Sequence, residues 1–273
     1  MELYARLFPT SAVAFIDLNS AFDVTNRDII LDQLIDFGIK GNLLRWIRGY
    51  LQNRISHVLF KGAMSTAKEL ELGTPHCGVL SPFLFNILHH RLLSLLPDTD
   101  HTTITCYADN ICIHSGSPDH LQPFLSCFYK SASSCGLIIS PEKSRIFSPK
   151  SARYLPEFTM GNDVIPLCMQ HLYLGAPLRI TPSIPARQWV HPMAQDLLAR
   201  LQRRLTPVKW LTNYSTGVSI LVTRTIYITL ILSVVDYLSP ALCQLSRSTL
   251  QPLEKFQNQA MSLILGCPAS LEL

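Results

Sequence analysis

Apolar positions in this chain follow two rhythms. Ser11 to Ile16 is an unbroken apolar run that stops at Asp17, the mark of a buried strand with a carboxylate at its C-terminal end. The spacing then widens to three and four residues. Ile30, Leu31, Leu34 and Ile35 follow Asn26, a helix-capping residue type, and Gly38 ends the run. Leu43, Leu44, Ile47 and Leu51 predict a second helix over about 42–51. Ile55–Phe60 and Lys68–Leu72 read as short strands around a turn at Gly62. Residues 73–82 form a loop ending in Ser81-Pro82, an expected N-cap with proline at the first helical position. Leu84, Ile87, Leu88, Leu92 and Leu95 carry that helix onward. Thr102–Tyr107 and Ile111–His114 predict a β-hairpin across a tight Ala108-Asp109-Asn110 turn. A helix opening at Pro118 presents Leu121, Phe124, Leu125, Phe128 and Cys135, and two more strand candidates flank 140–143.

Strand, helix, helix, strand, strand, helix, strand is the order of an α+β fold, a split βαβ sheet with helices on one face. After a turn at Tyr173-Leu174-Gly175, helices are expected near 185–204, 216–238 and 248–265. The expected division is therefore a sheet-bearing domain over 1–180 and a helical region over 181–273.

Composition changes this picture in three ways. Charged residues make up only 15%, against about 25% in an ordinary soluble domain, as in a core missing part of its polar covering. No membrane partner is expected: the most apolar stretch, Thr225–Val235 between Arg224 and Asp236, falls short of the ~20 residues that cross a bilayer. The first six residues do not have the form of a secretory signal. Eight cysteines without a C-x-x-C pair, several inside apolar runs, point to reduced core thiols and an intracellular setting, cytoplasmic or nuclear. The nine histidines form no set with metal-ligand spacing, and His89-His90 face different ways on one helix. Charge is unevenly distributed, with a net −3 over residues 1–142 and +7 over 143–209. That asymmetry suits a carboxylate centre beside a track for a polyanion, or equally a solvated helix face.

Asp17 ends a strand and Asp109 tips a hairpin. If those elements are neighbours, the two carboxylates repel one another unless a cation lies between them, and magnesium is the natural bridge. By spacing alone, each could equally be a turn or capping residue.

The residues around them say more. Ala14-Phe-Ile-Asp17-Leu-Asn-Ser-Ala-Phe22-Asp23, then Gly73-Thr-Pro-His-Cys-Gly-Val-Leu-Ser-Pro82 with Leu84-Phe-Asn-Ile87, then Tyr107-Ala-Asp-Asn110, resemble motifs A, B and C of reverse transcriptases. Gly136-Leu-Ile-Ile-Ser-Pro-Glu-Lys143 resembles motif D, and Tyr173-Leu-Gly175 the primer-grip turn of motif E. Ser233-Val-Val-Asp-Tyr237, Leu253-Glu-Lys-Phe-Gln-Asn258 and Ile264-Leu-Gly266 are similar to the region after the palm in LINE-type (non-LTR) retrotransposon enzymes. The resemblance implies a right-hand polymerase palm with an RRM-like antiparallel sheet and partial fingers over 1–180. An α-helical thumb or connection would follow.

The resemblance also implies RNA-directed DNA polymerase activity with Mg²⁺ (or Mn²⁺), an RNA template, a DNA primer and dNTPs. Asp17 and Asp109 would bind metal, with Asn110 beside them. Phe22 would exclude a ribose 2′-hydroxyl, Lys143 would protonate pyrophosphate, and Pro75, His76, Cys77 and Gly78 would meet template and dNTP. In the basic segment, Arg200, Arg203, Arg204 and Lys209 are the expected phosphate contacts. Three departures count towards an inactive remnant that at most binds nucleic acid. Tyr-x-Asp-Asp is here Tyr-Ala-Asp-Asn110, the Pro-Gln-Gly of motif B is Pro75-His76-Cys77, and the chain opens almost directly on motif A, so that fingers or endonuclease segments would lie elsewhere in the element.

Overall fold

The computed structural model describes residues 11–75, 77–148, 156–179, 192–212, 217–243 and 245–266. Its main sheet has five strands: β1 (Ala12–Asp17), β2 (Thr102–Tyr107), β3 (Asn110–Ser115), β4 (Arg145–Phe147) and β5 (Leu167–Cys168). Their spatial order is β5-β4-β1-β3-β2, antiparallel except for the β4–β5 pair. Having neighbours on both sides and cover on both faces explains why β1 is an unbroken apolar run: Ala12 to Ile16 are all buried. Ala12, Ala14 and Ile16 join Ile111 and Ile113 of β3 in one core with side chains from four helices. These helices are α1 (Arg27–Asp36), α2 (Gly41–Leu51), α3 (Ser81–Ser94) and α4 (Pro118–Ser134). Between Ala14 and Ile16, Phe15 meets Phe147 edge-on at 6.2 Å.

Local chemistry accounts for most boundaries. The Asn26 side chain accepts from the backbone N–H groups of Asp28 and Ile29, and the Ser117 hydroxyl accepts from that of Asp119. Ser81 departs from expectation. It lies inside α3, caps nothing, and turns its hydroxyl back to donate to the Pro75 carbonyl at 2.5 Å. Three positions assigned to apolar helix faces, Ile35, Leu43 and Leu95, are exposed. Of the strand candidates flanking 140–143, only β4 forms. Ile139 makes a single bridge to Leu18, because the proline at 141 ends extended pairing there. Between α2 and α3, Arg54–Ser56 pairs with Lys68–Leu70, enclosing a small hairpin of Leu59–Phe60 and Ala63–Met64.

The chain divides into two compact units, 1–169 and 170–273. The hairpin of Gln170–Tyr173 and Ala176–Arg179 therefore groups with the helices rather than with the sheet, and the division falls at 169/170 instead of 180. The reason is that side chains of the helical unit bind the turn of that hairpin. The helices are α5 (Pro192–Leu211), α6 (Ile220–Tyr227), a π-helical turn at Ile228–Leu232, α7 (Ser233–Leu242) and α8 (Arg247–Leu265). The start expected near 185 lies outside the described residues. Leu197, Leu201, Leu205, Tyr227, Ile231, Leu238 and Phe256 form this unit's own core.

From α6 through α7, Ile220–Leu242 is one 23-residue helical stretch, long and apolar enough to cross a membrane by length and composition alone. The expectation drawn from Thr225–Val235 is corrected here, because Arg224 and Asp236 interrupt the charge pattern but not the helix. One face of the stretch, including Thr223, Tyr227, Ile231 and Leu238, is buried within the unit.

Candidate active site

Strand pairing brings the expected carboxylates to one end of the sheet. Asp17, the last residue of β1, pairs with Asn110, the first residue of β3, and Asp109 lies one residue back in the β2–β3 turn. Directly paired residues share a face of a sheet, so Asp17 and Asn110 point the same way. The turn holds only Ala108 and Asp109, with Ala108 in the left-handed region at φ 50°. A non-glycine residue there carries about 1–3 kcal/mol of strain. Asn110 donates from Nδ2 to Asp109 Oδ1 at 3.2 Å. The missing charge of Tyr-Ala-Asp-Asn is thus replaced by an amide that binds the neighbouring carboxylate.

The segment after Gly136 closes around the end of β1. Ser140 N–H donates to the Asp17 carbonyl at 2.9 Å, and Asp17 N–H donates to Ser144 Oγ at 3.2 Å. These bonds place Lys143 Nζ 3.9 Å from Asp17 Oδ1. Both side chains are well exposed, so the ion pair itself contributes about 1 kcal/mol or less.

Phe22 is half-buried, its ring 4.7 Å from that of Phe85, which in turn packs 4.5 Å from His89. His89 is buried, and its Nε2 has no hydrogen-bond partner. Burial pushes its pKa down, against the pull of Asp109. In the sequence His89 stands only as one of two adjacent histidines. Its place beside Phe85, Leu88 and Leu92 in the helical spacing was the available signal, and His90 does turn away, to Phe37 at 4.9 Å.

The motif B loop is fastened to motif A. Gly73 N–H donates to the Thr25 carbonyl and Thr74 N–H to the Phe22 carbonyl, both at 2.9 Å. The Gly73 carbonyl accepts from buried Arg27 Nε at 2.8 Å and from Arg54 Nη1 at 3.1 Å. A Cβ on Gly73 would stand 2.7 Å from the carbonyl oxygens of Phe22 and Asp23. Neither arginine was expected here, since sequence shows their charge but not the carbonyls they serve. Pro75 is half-buried, Gly78 lies against the Tyr50 hydroxyl, and Cys77 is exposed with φ 56°, a conformation natural to the glycine it replaces. His76 lies outside the described residues.

The expected phosphate contacts divide by role. Arg200 donates to the Gly175 carbonyl at 3.1 Å, and Arg204 to the Leu230 carbonyl at 2.6 Å. Leu230 sits in the π turn, where the regular ladder is broken and a carbonyl needs another donor. Arg203 and Lys209 are exposed. Among the described residues, no group of three or more His, Cys, Asp or Glu side chains gathers as a metal-binding cluster. Two carboxylates are what Mg²⁺ commonly takes from a protein when substrate phosphates complete its shell, so Asp17 and Asp109 suit it.

A sheet of this topology, with acidic residues at the end of its central strand and in the adjoining turn, defines the palm of a nucleic-acid polymerase. Residues 6–156, more than half of the chain, match the sequence profile of "Reverse transcriptase (RNA-dependent DNA polymerase)". The chain belongs to that family, whose members work with a divalent metal ion. It is similar to two Drosophila melanogaster proteins. The probable RNA-directed DNA polymerase from transposon BS is 21% identical over 271 residues, covering 93% of this chain and 29% of that protein. The one from transposon X-element is 24% identical over 265 residues, covering 93% and 28%. The chain spans under a third of the length of these two relatives. Apo telomerase from Candida Tropicalis shares the fold, with a TM-score of 0.50 at 11% identity over 96% of this chain and 46% of that one.

Proposed function

We propose that this chain is the polymerizing portion of a retrotransposon enzyme that extends a DNA primer on an RNA template, using dNTPs and Mg²⁺ or Mn²⁺. The observation that carries the reading is the pairing of Asp17 with Asn110, which sets Asp17 and Asp109 at one end of the palm sheet. These two carboxylates would hold the ion, which would supply the positive charge needed for attack by a primer 3′-hydroxyl and for departure of pyrophosphate. Lys143, beside Asp17, supplies a proton to that leaving group. Phe22, braced by Phe85, fills the space a ribose 2′-hydroxyl would need. Pro75 to Gly78 meet template and dNTP, while Arg200, Arg203, Arg204 and Lys209 make the basic segment that follows phosphates.

The test is primer extension on poly(rA)·oligo(dT) with dTTP and Mg²⁺. The expected result is incorporation that Asp17→Ala and Asp109→Ala abolish and Asn110→Asp increases. Primer–template binding with no extension by either the chain or Asn110→Asp would refute polymerization and leave a nucleic-acid-binding remnant.

A further inference from the structure

Charge in the sheet-bearing unit is segregated. Residues 37–68 carry six lysines and arginines and no aspartate or glutamate, whereas the rest of residues 1–142 carries four cations against thirteen carboxylates. The six lie on and around α2 and the hairpin that follows it. Arg54 serves the Gly73 carbonyl, while Lys40, Arg45, Arg48, Lys61 and Lys68 are all exposed. Like charges gathered without a neutralising carboxylate among them repel one another, so this segment suits a polyanion.

Aromatic and backbone geometry narrows that polyanion to one with unpaired bases. The Trp46 ring lies within 16° of parallel to that of Tyr50, centroids 6.0 Å apart, and Trp46 is still 57% exposed. The protein braces the indole and leaves apolar ring surface in water, a platform that a base can cover. Gly49 comes four residues after Arg45 and three after Trp46, so it shares their side of α2, and Arg48 lies three residues beyond Arg45. Nothing stands within 4 Å of a Cβ built on Gly49. A glycine inside a helix costs about 1 kcal/mol against alanine. Here it leaves a bare floor between a cation and an exposed ring, where the backbone of a strand can approach closely.

We infer that the outer face of α2, formed by Trp46, Gly49, Arg45 and Arg48, is a binding site for single-stranded nucleic acid, built from residues other than the carboxylates and motif loops of the polymerase site. A base stacks on Trp46, Gly49 gives the strand room, and the two arginines hold its phosphates. A duplex, whose bases are already paired and stacked, offers no open base face to the indole. The inference goes beyond the polymerase reading and does not depend on it, since a chain unable to polymerize would keep this face.

The experiment uses the full chain with labelled oligo(rU), oligo(dT) and an oligo(rA)·oligo(dT) duplex, without metal or dNTPs. The unaltered chain should bind the single strands, and the tighter of the two names RNA or DNA as the occupant. Trp46→Ala should weaken that binding at least about fivefold, the lower bound for one stacked base, and leave duplex binding unchanged. Trp46→Phe should keep most of the affinity while removing the quenching of tryptophan emission by the bound strand. Arg45→Ala with Arg48→Ala should flatten the slope of log K against log salt by about 1.4. Gly49→Leu fills the floor with a better helix former, so it should weaken binding while Tm stays level or rises. Single-strand binding unaltered by both Trp46→Ala and Gly49→Leu overturns the inference, as does an unaltered chain that binds neither strand. So does a concentration-dependent dimer that Trp46→Ala disperses with strand binding intact, which would assign the face to a second copy of the chain. Failure of primer extension alongside the expected binding results would overturn the polymerase reading alone.

Discussion

Replacing Gly73 by alanine tests how closely motifs A and B are joined. The new Cβ would lie 2.7 Å from the carbonyl oxygens of Phe22 and Asp23 and 2.9 Å from Asp23 Cα. Ordinary contact begins near 3.4 Å, so the loop or the Phe22–Asp23 peptide has to retreat by more than half an ångström. Retreat strains the two 2.9 Å backbone bonds that join Gly73 to Thr25 and Thr74 to Phe22, and draws the Gly73 carbonyl from Arg27. Holding a side chain at φ 81° adds about 1–2 kcal/mol, and overpacking adds about 1–3 kcal/mol. A loss of about 2–5 kcal/mol follows, or roughly 4–20 °C in Tm for a unit of this size. Gly49 supplies the control of opposite sign. It is a helical glycine with nothing within 4 Å of a built Cβ, so Gly49→Ala should stabilise by about 1 kcal/mol. Urea titrations followed by circular dichroism read both. Equal midpoints for the parent and Gly73→Ala would refute the argument that backbone contact locks these motifs together.

Three further outcomes are expected. Cys77→Gly relieves a left-handed non-glycine residue and should raise stability by up to about 1 kcal/mol in the same titration, whereas Cys77→Val should lower it. Alkylation at neutral pH, read by mass spectrometry, should reach exposed Cys77 and Cys243 first. Cys106 and Cys112, whose thiol pKa values burial pushes up to about 11, should react only once the chain is unfolded. Arg203→Ala and Lys209→Ala should each flatten the slope of log K against log salt by about 0.7–0.9 without changing Tm, while Arg204→Ala should also lower Tm, because the Leu230 carbonyl loses its donor.

What sequence revealed, and what it concealed, follows from the range over which each signal acts. The apolar run of β1, the β2–β3 hairpin and the cap at Asn26 are set by neighbours within a few residues, and they formed as expected. Asp17 and Asp109 were found through their motifs, and only pairing showed that Asp17 faces Asn110. Ser81 fits a capping pattern, yet its hydroxyl met a nearer acceptor in the Pro75 carbonyl. Arg27, Arg54, Arg200 and Arg204 all bind carbonyls 19 or more residues away in the chain, so their charge was visible and their partners were not. His89 differs: its helical spacing with Phe85, Leu88 and Leu92 signals burial, while nothing local in sequence shows that its Nε2 goes without a partner.

The pairing of β1 with β3 has a consequence for how such a site can change. A slip of one residue would not merely separate Asp17 from Asn110. It would turn Phe15 towards the helices where Ala14 now fits, so packing of the interior fixes the address of the carboxylate. The address and the charge are therefore inherited separately. Substitution at position 110 rewrites the electrostatics of the strand end while the interior holds every backbone atom in register. A palm can lose or regain a negative charge in a single step, with its framework intact in both directions.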